Sequence, residues 1–133
     1  MMELIGFGPG GCGYSDKYKP TRKLGRLTSA ILRRYDKFVR RPKVKKHYVT
    51  AISSAIQQGF RWLDYSCAYG DGKLFGQAIK QSGINRADLI ITTRVSNYAQ
   101  REHCVRQEFL DFLKNAQLDY VDILQFHWPV TDL

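Results

Sequence analysis

The sequence predicts an α/β fold built on a parallel sheet, and three observations carry that prediction. Apolar runs of strand length alternate with stretches whose apolar residues recur at helical spacing. Glycine or proline closes these runs. Three of the strand-length runs lead into an ionisable residue: Phe60 to Leu63 into Asp64, Ile90 to Thr93 into Arg94, and Ile123 to Phe126 into His127. Strand, helix, strand, helix, strand is the pattern of βαβ units, and right-handed crossovers put all the strand C-terminal ends on one side. Asp64, Arg94 and His127 are therefore expected on one rim, with Tyr69 just beyond the first of these ends. Such a rim is where a β/α protein keeps its chemistry.

Each element has its own warrant. Leu4 to Phe7 is a short apolar run stopped by Gly8-Pro9-Gly10-Gly11-Cys12-Gly13, a strand and its turn. The glycines match neither dinucleotide nor P-loop spacing, and no clear helix opens after them. Residues 14–46 are polar and basic. Within them Ile31, Leu32, Tyr35, Phe38 and Val39 recur at helical spacing among arginines and a lysine, which predicts an amphipathic basic helix ended by Pro42. Val49, Ile52, Ala55 and Ile56 mark the next helix, closed by Gly59 as its C′ residue. Phe60 to Asp64 reads as a strand. Leu74, Phe75, Ala78 and Ile79 form one face of a helix that stops at Gly83. Leu89 to Val95 is a strand, Val105, Phe109, Phe112 and Leu113 line a third helix, and Tyr120 to Phe126 is a last strand before Pro129.

Bulk properties narrow the function classes. The 133 residues make one domain at most, and 44% hydrophobic with 25% charged content is that of an ordinary globular protein. No apolar run approaches the roughly 20 residues needed to cross a bilayer, and the N-terminus lacks a secretory pattern. Three cysteines without CxxC spacing argue for a reducing cytoplasm. Cys67, near the rim, reads as a small buried residue rather than a nucleophile. The net charge of +9 is concentrated: residues 16–46 hold 13 Lys/Arg against two Asp, and the rest holds eight against ten Asp/Glu. A basic helix of this kind either packs with its cationic face in solvent or lies on nucleic acid or an anionic surface. Confinement of the charge to one segment, with no aromatics alternating with base-contact types as in a single-strand platform, favours the first and makes nucleic acid an unexpected partner.

The motifs resemble those of the aldo-keto reductase family. Gly59-Phe60-Arg61-Trp62-Leu63-Asp64, Tyr69-Gly70 and Leu74-Phe75-Gly76 look like its second-strand signature. Ile91-Thr92-Thr93-Arg94-Val95 looks like its third-strand segment, and the stretch from Leu118 to Pro129 like its fourth. The spacing between them fits, over roughly Leu4 to Val130, with residues 14–46 poorly matched. The resemblance implies about half of a (β/α)8 TIM barrel, as one partial domain over 1–133 with a basic insertion after the first strand. It implies NADPH-dependent reduction of a small aldehyde or ketone without metal. By position, Asp64, Tyr69 and His127 match three members of the family's catalytic tetrad, and Arg94 stands where the family carries Lys. Asp64 is further implied in cofactor binding, and Tyr69, His127 and Trp128 in substrate binding. Gly72 stands where many members have Glu.

The chemistry accounts for these residue types. Hydride attack on a carbonyl builds negative charge on oxygen, which must be stabilised and protonated. A Tyr hydroxyl can give the proton, but an unperturbed phenol with pKa of about 10 is a weak acid at neutral pH. A cation beside it stabilises the phenolate, an Asp orients the cation, and a neutral His can hydrogen-bond the carbonyl oxygen. Arg keeps the charge but does not share a proton, so the tetrad is expected to be impaired. A complete barrel typically takes about 250 residues. The 133 present are expected not to close one, so the chain pairs with a second copy or a C-terminal half, refolds its core, or is a truncated product. Two further readings stay open: a non-catalytic half-barrel acting as an interaction module, and a binder of nucleic acid or an anionic surface through residues 16–46.

Overall fold

A computed structural model describes Gly6–Phe7, Arg34, residues 37–38, residues 41–66, Tyr69 and residues 71–131. The glycine turn at 8–13, most of the basic helix expected over 31–39, Cys12 and Cys67 lie outside the described residues. The elements run β1 (Gly6–Phe7), α1 (Arg41–Gln57), β2 (Trp62–Ser66), α2 (Gly72–Ser82), β3 (Ile90–Val95), α3 (Asn97–Arg101), α4 (Val105–Ala116) and β4 (Ile123–Phe126), with a 3-10 turn at Arg86–Asp88. The four strands form one parallel sheet in the order β1-β2-β3-β4. Consecutive parallel strands with every long helix of the described residues packed on one face form an arc of a barrel, not a doubly wound sheet.

Pro42 sits in the first turn of α1, where a missing N–H breaks no intrahelical bond and a fixed φ suits the helix; the end of the helix expected before it lies outside the described residues. The C-terminus of α1 behaves as expected. Gly59 has φ +105°, its N–H donates to Ile56 O, and the Phe60 N–H donates to Ala55 O. That double bond is a Schellman cap, which Gly supplies without a side-chain clash. The cap also explains a correction. Phe60 is committed to closing α1, so β2 begins at Trp62, and Asp64 is the central residue of its strand rather than the last.

The core lies between sheet and helices. Leu63, Tyr65 and Ile91 face Tyr48, Ile52, Ile56, Phe75, Ile79 and Phe112. The Tyr65 ring stacks on Phe112 at 4.5 Å and tilts against Phe75 at 4.9 Å. Helix α2 starts on Asp71, whose carboxylate accepts from the Lys73 N–H at 2.9 Å, and ends at Gly83 with φ +74°. It meets α4 at Gly76, where an added Cβ would lie 2.0 Å from the Ala116 carbonyl oxygen. Only glycine allows that approach.

The amino ends of β3 and β4 are held by a polar clamp. Asp122 Oδ2 accepts from the Ile91 N–H at 2.8 Å and from Arg86 Nη2 at 2.6 Å. The Arg86 guanidinium also donates to Leu89 O and Tyr120 O and lies 4.1 Å from the Tyr120 ring centroid. Burial alone would raise the Asp122 carboxyl. The Ile91 N–H, the Arg86 hydrogen bond and the Arg86 charge outweigh it and hold the group below its ordinary value.

Candidate active site

Side chains alternate along β2, β3 and β4, so one face carries the core and the other is free for polar work. In register, Asp64 pairs with Thr92, Ser66 with Arg94, Thr92 with Ile123 and Arg94 with Gln125. Trp62, Asp64 and Ser66 thus share the inner face with Thr92 and Arg94, and with Gln125 and His127. Cross-strand bonds tie that face together. Trp62 Nε1 donates to Thr92 Oγ1 at 2.8 Å. Two residues further along each strand, Arg94 Nη1 donates to Asp64 Oδ2 at 2.6 Å.

Tyr69 joins the same group from the turn after β2. Its N–H donates to Ser66 O at 2.8 Å, and its Oη accepts from Arg94 Nη1 at 3.0 Å. One guanidinium nitrogen therefore serves two oxygens, one hydrogen each. The phenol oxygen acts as acceptor in this bond, so its own proton stays available to another acceptor. The Asp64–Arg94 pair is a quarter open to solvent, with side-chain exposures of 27% and 25%. Asp64 Oδ1 is buried and has no hydrogen-bond partner.

His127 continues β4 by one residue, its N–H donating to Val95 O at 3.1 Å. It reaches the group through Ser66, whose Oγ lies 3.3 Å from Nδ1. The exposed Trp128 ring sits edge-on to the imidazole, with centroids 4.4 Å apart at 78°. Of the residues expected at the rim, Asp64, Tyr69 and Arg94 form one hydrogen-bonded cluster. His127 stands on the same face, linked through Ser66, and Trp128 packs against His127. On the other face of the sheet, under α4, a pocket of about 170 Å³ is lined by Tyr65, Gly72, Thr93, Glu108, Phe112 and Asn115. The missing side chain of Gly72 leaves part of that room.

Sequence reasoning missed four contributors. Ser66 was not singled out, although its position two after Asp64 puts it on the same strand face once the strand extends to Ser66. Thr92 and Trp62 brace the strands below the charged pair. Glu108 accepts from the Ser96 N–H at 2.6 Å and from its Oγ at 2.5 Å, fixing the turn after β3. No spacing signal marks that contact in the sequence.

The sequence profile of the aldo/keto reductase family matches residues 35–133. Methylglyoxal reductase DkgA of Escherichia coli strain K12 is 40% identical over 82 residues, which are 62% of this chain and 29% of that protein. Morphine 6-dehydrogenase of Pseudomonas putida is 35% identical over 83 residues, 62% of this chain and 28% of its own. Among solved structures, aldose reductase of Giardia lamblia aligns with a TM-score of 0.60 at 30% identity, over 65% of this chain and 30% of that one. An aldo/keto reductase of Brucella melitensis aligns with a TM-score of 0.58 at 39% identity, over 62% and 31%. The chain thus spans about three tenths of the length of these relatives.

Proposed function

The chain belongs to the aldo/keto reductase family, and on that premise we propose that Asp64, Tyr69, Arg94 and His127 form the carbonyl-reducing site of an NADPH-dependent oxidoreductase. The observation that carries this reading is the shared Arg94 nitrogen, which ties Asp64 and Tyr69 into one unit on a common strand face. The substrate class is a small aldehyde or ketone. Methylglyoxal, in the name of a relative, is the first to test.

The residues present fit the cofactor in one respect. Asp64 Oδ1 lacks a donor, and a ribose hydroxyl or carboxamide N–H is the kind of group that would supply one. Asp64 would therefore help hold the cofactor while its other oxygen orients Arg94. When bound, NADPH supplies the hydride. The chain's own residues manage charge and proton. Tyr69 gives its hydroxyl proton to the carbonyl oxygen as negative charge develops there. Arg94, fixed by Asp64, stabilises the phenolate that remains. Its guanidinium does not itself relay a proton, so re-protonation of Tyr69 falls to solvent, and turnover is impaired relative to a lysine in that place. His127 donates a hydrogen bond to the same carbonyl oxygen, and Trp128 forms one wall for the substrate.

Cofactor binding by the 133-residue chain tests this reading, followed as quenched NADPH fluorescence and as a gain in thermal stability. Binding together with methylglyoxal-dependent cofactor oxidation that Tyr69→Phe lowers about 100-fold is the expected result. Absence of binding at millimolar NADPH overturns self-sufficient catalysis by this chain. The cysteine pattern supports a cytoplasmic setting for the activity; among the described residues no helix is long and apolar enough to cross a membrane.

A second reading has one observation in its favour. Leu124 and Phe126, on the helix-side face of β4, are 46% and 59% exposed, as in a module that covers its sheet with a partner. A stable homodimer without reductase activity would favour that reading.

A further inference from the structure

We propose that Ser66 is a positioning residue for His127: its hydroxyl holds Nδ1 as an acceptor, so that the ring presents Nε2–H to the rim. The role given to that N–H rests on the reductase reading above; the Ser66–His127 coupling does not.

Three contacts fix the imidazole. The backbone N–H of His127 is anchored to Val95 O, Trp128 packs edge-on against the ring, and Ser66 Oγ lies 3.3 Å from Nδ1. The third sets chemistry as well as position. A neutral imidazole donates at one nitrogen and accepts at the other, and the partner of one decides the role of the other. With the Ser66 hydroxyl donating to Nδ1, the proton is on Nε2, where it can be given in a hydrogen bond to a carbonyl oxygen. In the other tautomer Nδ1 would donate to Ser66, and a bare Nε2 would face the substrate as an acceptor, repelling the oxygen it should stabilise.

The contact is also informative about place. Ser66 lies on β2 and His127 just after β4, with β3 between them. Strands two apart in a flat sheet are separated by about 9.6 Å, so the two side chains meet because the arc curves inward around Arg94, the register partner of Ser66. Ser66 is fully buried and His127 half-buried, which shields the bond from competing water. Burial, curvature and ring packing thus converge on one hydroxyl.

The test is heteronuclear NMR of the full chain labelled with ¹⁵N in its histidine rings, with His127 assigned by loss of its signals in His127→Gln. The expected wild-type pattern is a single Nε2–H tautomer with the Nδ1 resonance shifted upfield by an accepted hydrogen bond. In Ser66→Ala the second tautomer becomes populated, so Nδ1 moves upfield, Nε2 moves downfield, and the two ring shifts draw together. Ser66→Thr, which keeps the hydroxyl, restores the wild-type pattern. The exposed His47 and His103 report whether the fold is kept. Where Ser66→Ala disturbs them, Ser66→Cys, with similar volume and a weak donor, is read instead. His127 shifts that do not respond to loss of the hydroxyl in a folded variant overturn the proposal. Shifts that follow Ser66 in a chain without carbonyl reduction uphold the positioning and remove the catalytic reading instead.

Discussion

At the scale of single residues, the arrangement turns on how Arg94 divides its hydrogens. Nη1 gives one to Asp64 and one to Tyr69, at 2.6 and 3.0 Å. Replacing Tyr69 with Phe removes the proton donor and keeps the ring, so any carbonyl reduction is expected to fall about 100-fold in kcat/KM, measured by cofactor absorbance. Replacing Arg94 with Lys restores a side chain able to exchange a proton, and a gain of about tenfold in kcat is expected at unchanged fold. A lower rate in Arg94→Lys would show that the guanidinium fork, rather than proton exchange, sets the limit. Away from the site, Asp122 gives a pH signature. Its carboxyl lies below its ordinary value of 3.8 in the folded chain, so it adds stability above that pH. The contribution is lost as pH falls through the lower folded value. Denaturant midpoints between pH 5 and pH 2 should therefore drop less steeply in Asp122→Asn than in the wild type. Asp64, Tyr69, Arg94 and His127 were visible in the sequence because each ends or follows an apolar run. Ser66 and Asp122 were not, because a lone serine or aspartate acquires its meaning only from a neighbour on another strand.

At the scale of elements, most boundaries follow from local chemistry and the exceptions have local causes. Helices α2 and α4 were legible because their apolar residues recur at helical spacing and because Gly83 stops the first. The start of β2 was misjudged because Phe60 is apolar yet serves the cap of α1, a role that periodicity does not encode. That Pro42 also opens α1 was not foreseen, because proline near a helix is compatible with either end. Helix α3 and the 3-10 turn are too short to show a period. The contact of α2 with α4 offers a sharp test. In Gly76→Ala the new methyl would meet backbone, not a movable side chain, so the helices must separate. A loss of about 2 kcal/mol is expected in urea unfolding. Asp71→Ala, which removes only the cap of α2, should cost about 1 kcal/mol.

At the scale of the whole molecule, the chain is an arc whose two sides differ. The helices α1, α2 and α4 bury the middle of the sheet, whereas Leu124 and Phe126 of β4 have no cover among the described residues. The barrel-like order of strands was legible from the family motifs; this asymmetry was not, because a sequence pattern shows which residues are apolar and not which of them find a neighbour. Phe126→Lys should change unfolding free energy by no more than about 0.5 kcal/mol, while lowering light scattering of concentrated solutions. A buried role for that ring would instead appear as a loss several times larger. The asymmetry also has a temporal side. Amides of Leu63 to Tyr65 and of Ile91 to Thr93 sit in strands flanked on both sides and roofed by helices, whereas those of Leu124 to Phe126 lie on an edge strand. Deuterium should enter β4 first and β2 and β3 last. His127 would then ride on the fastest-exchanging strand while Asp64 rides on one of the slowest, so the geometry of the rim would be remade each time the edge opens and closes.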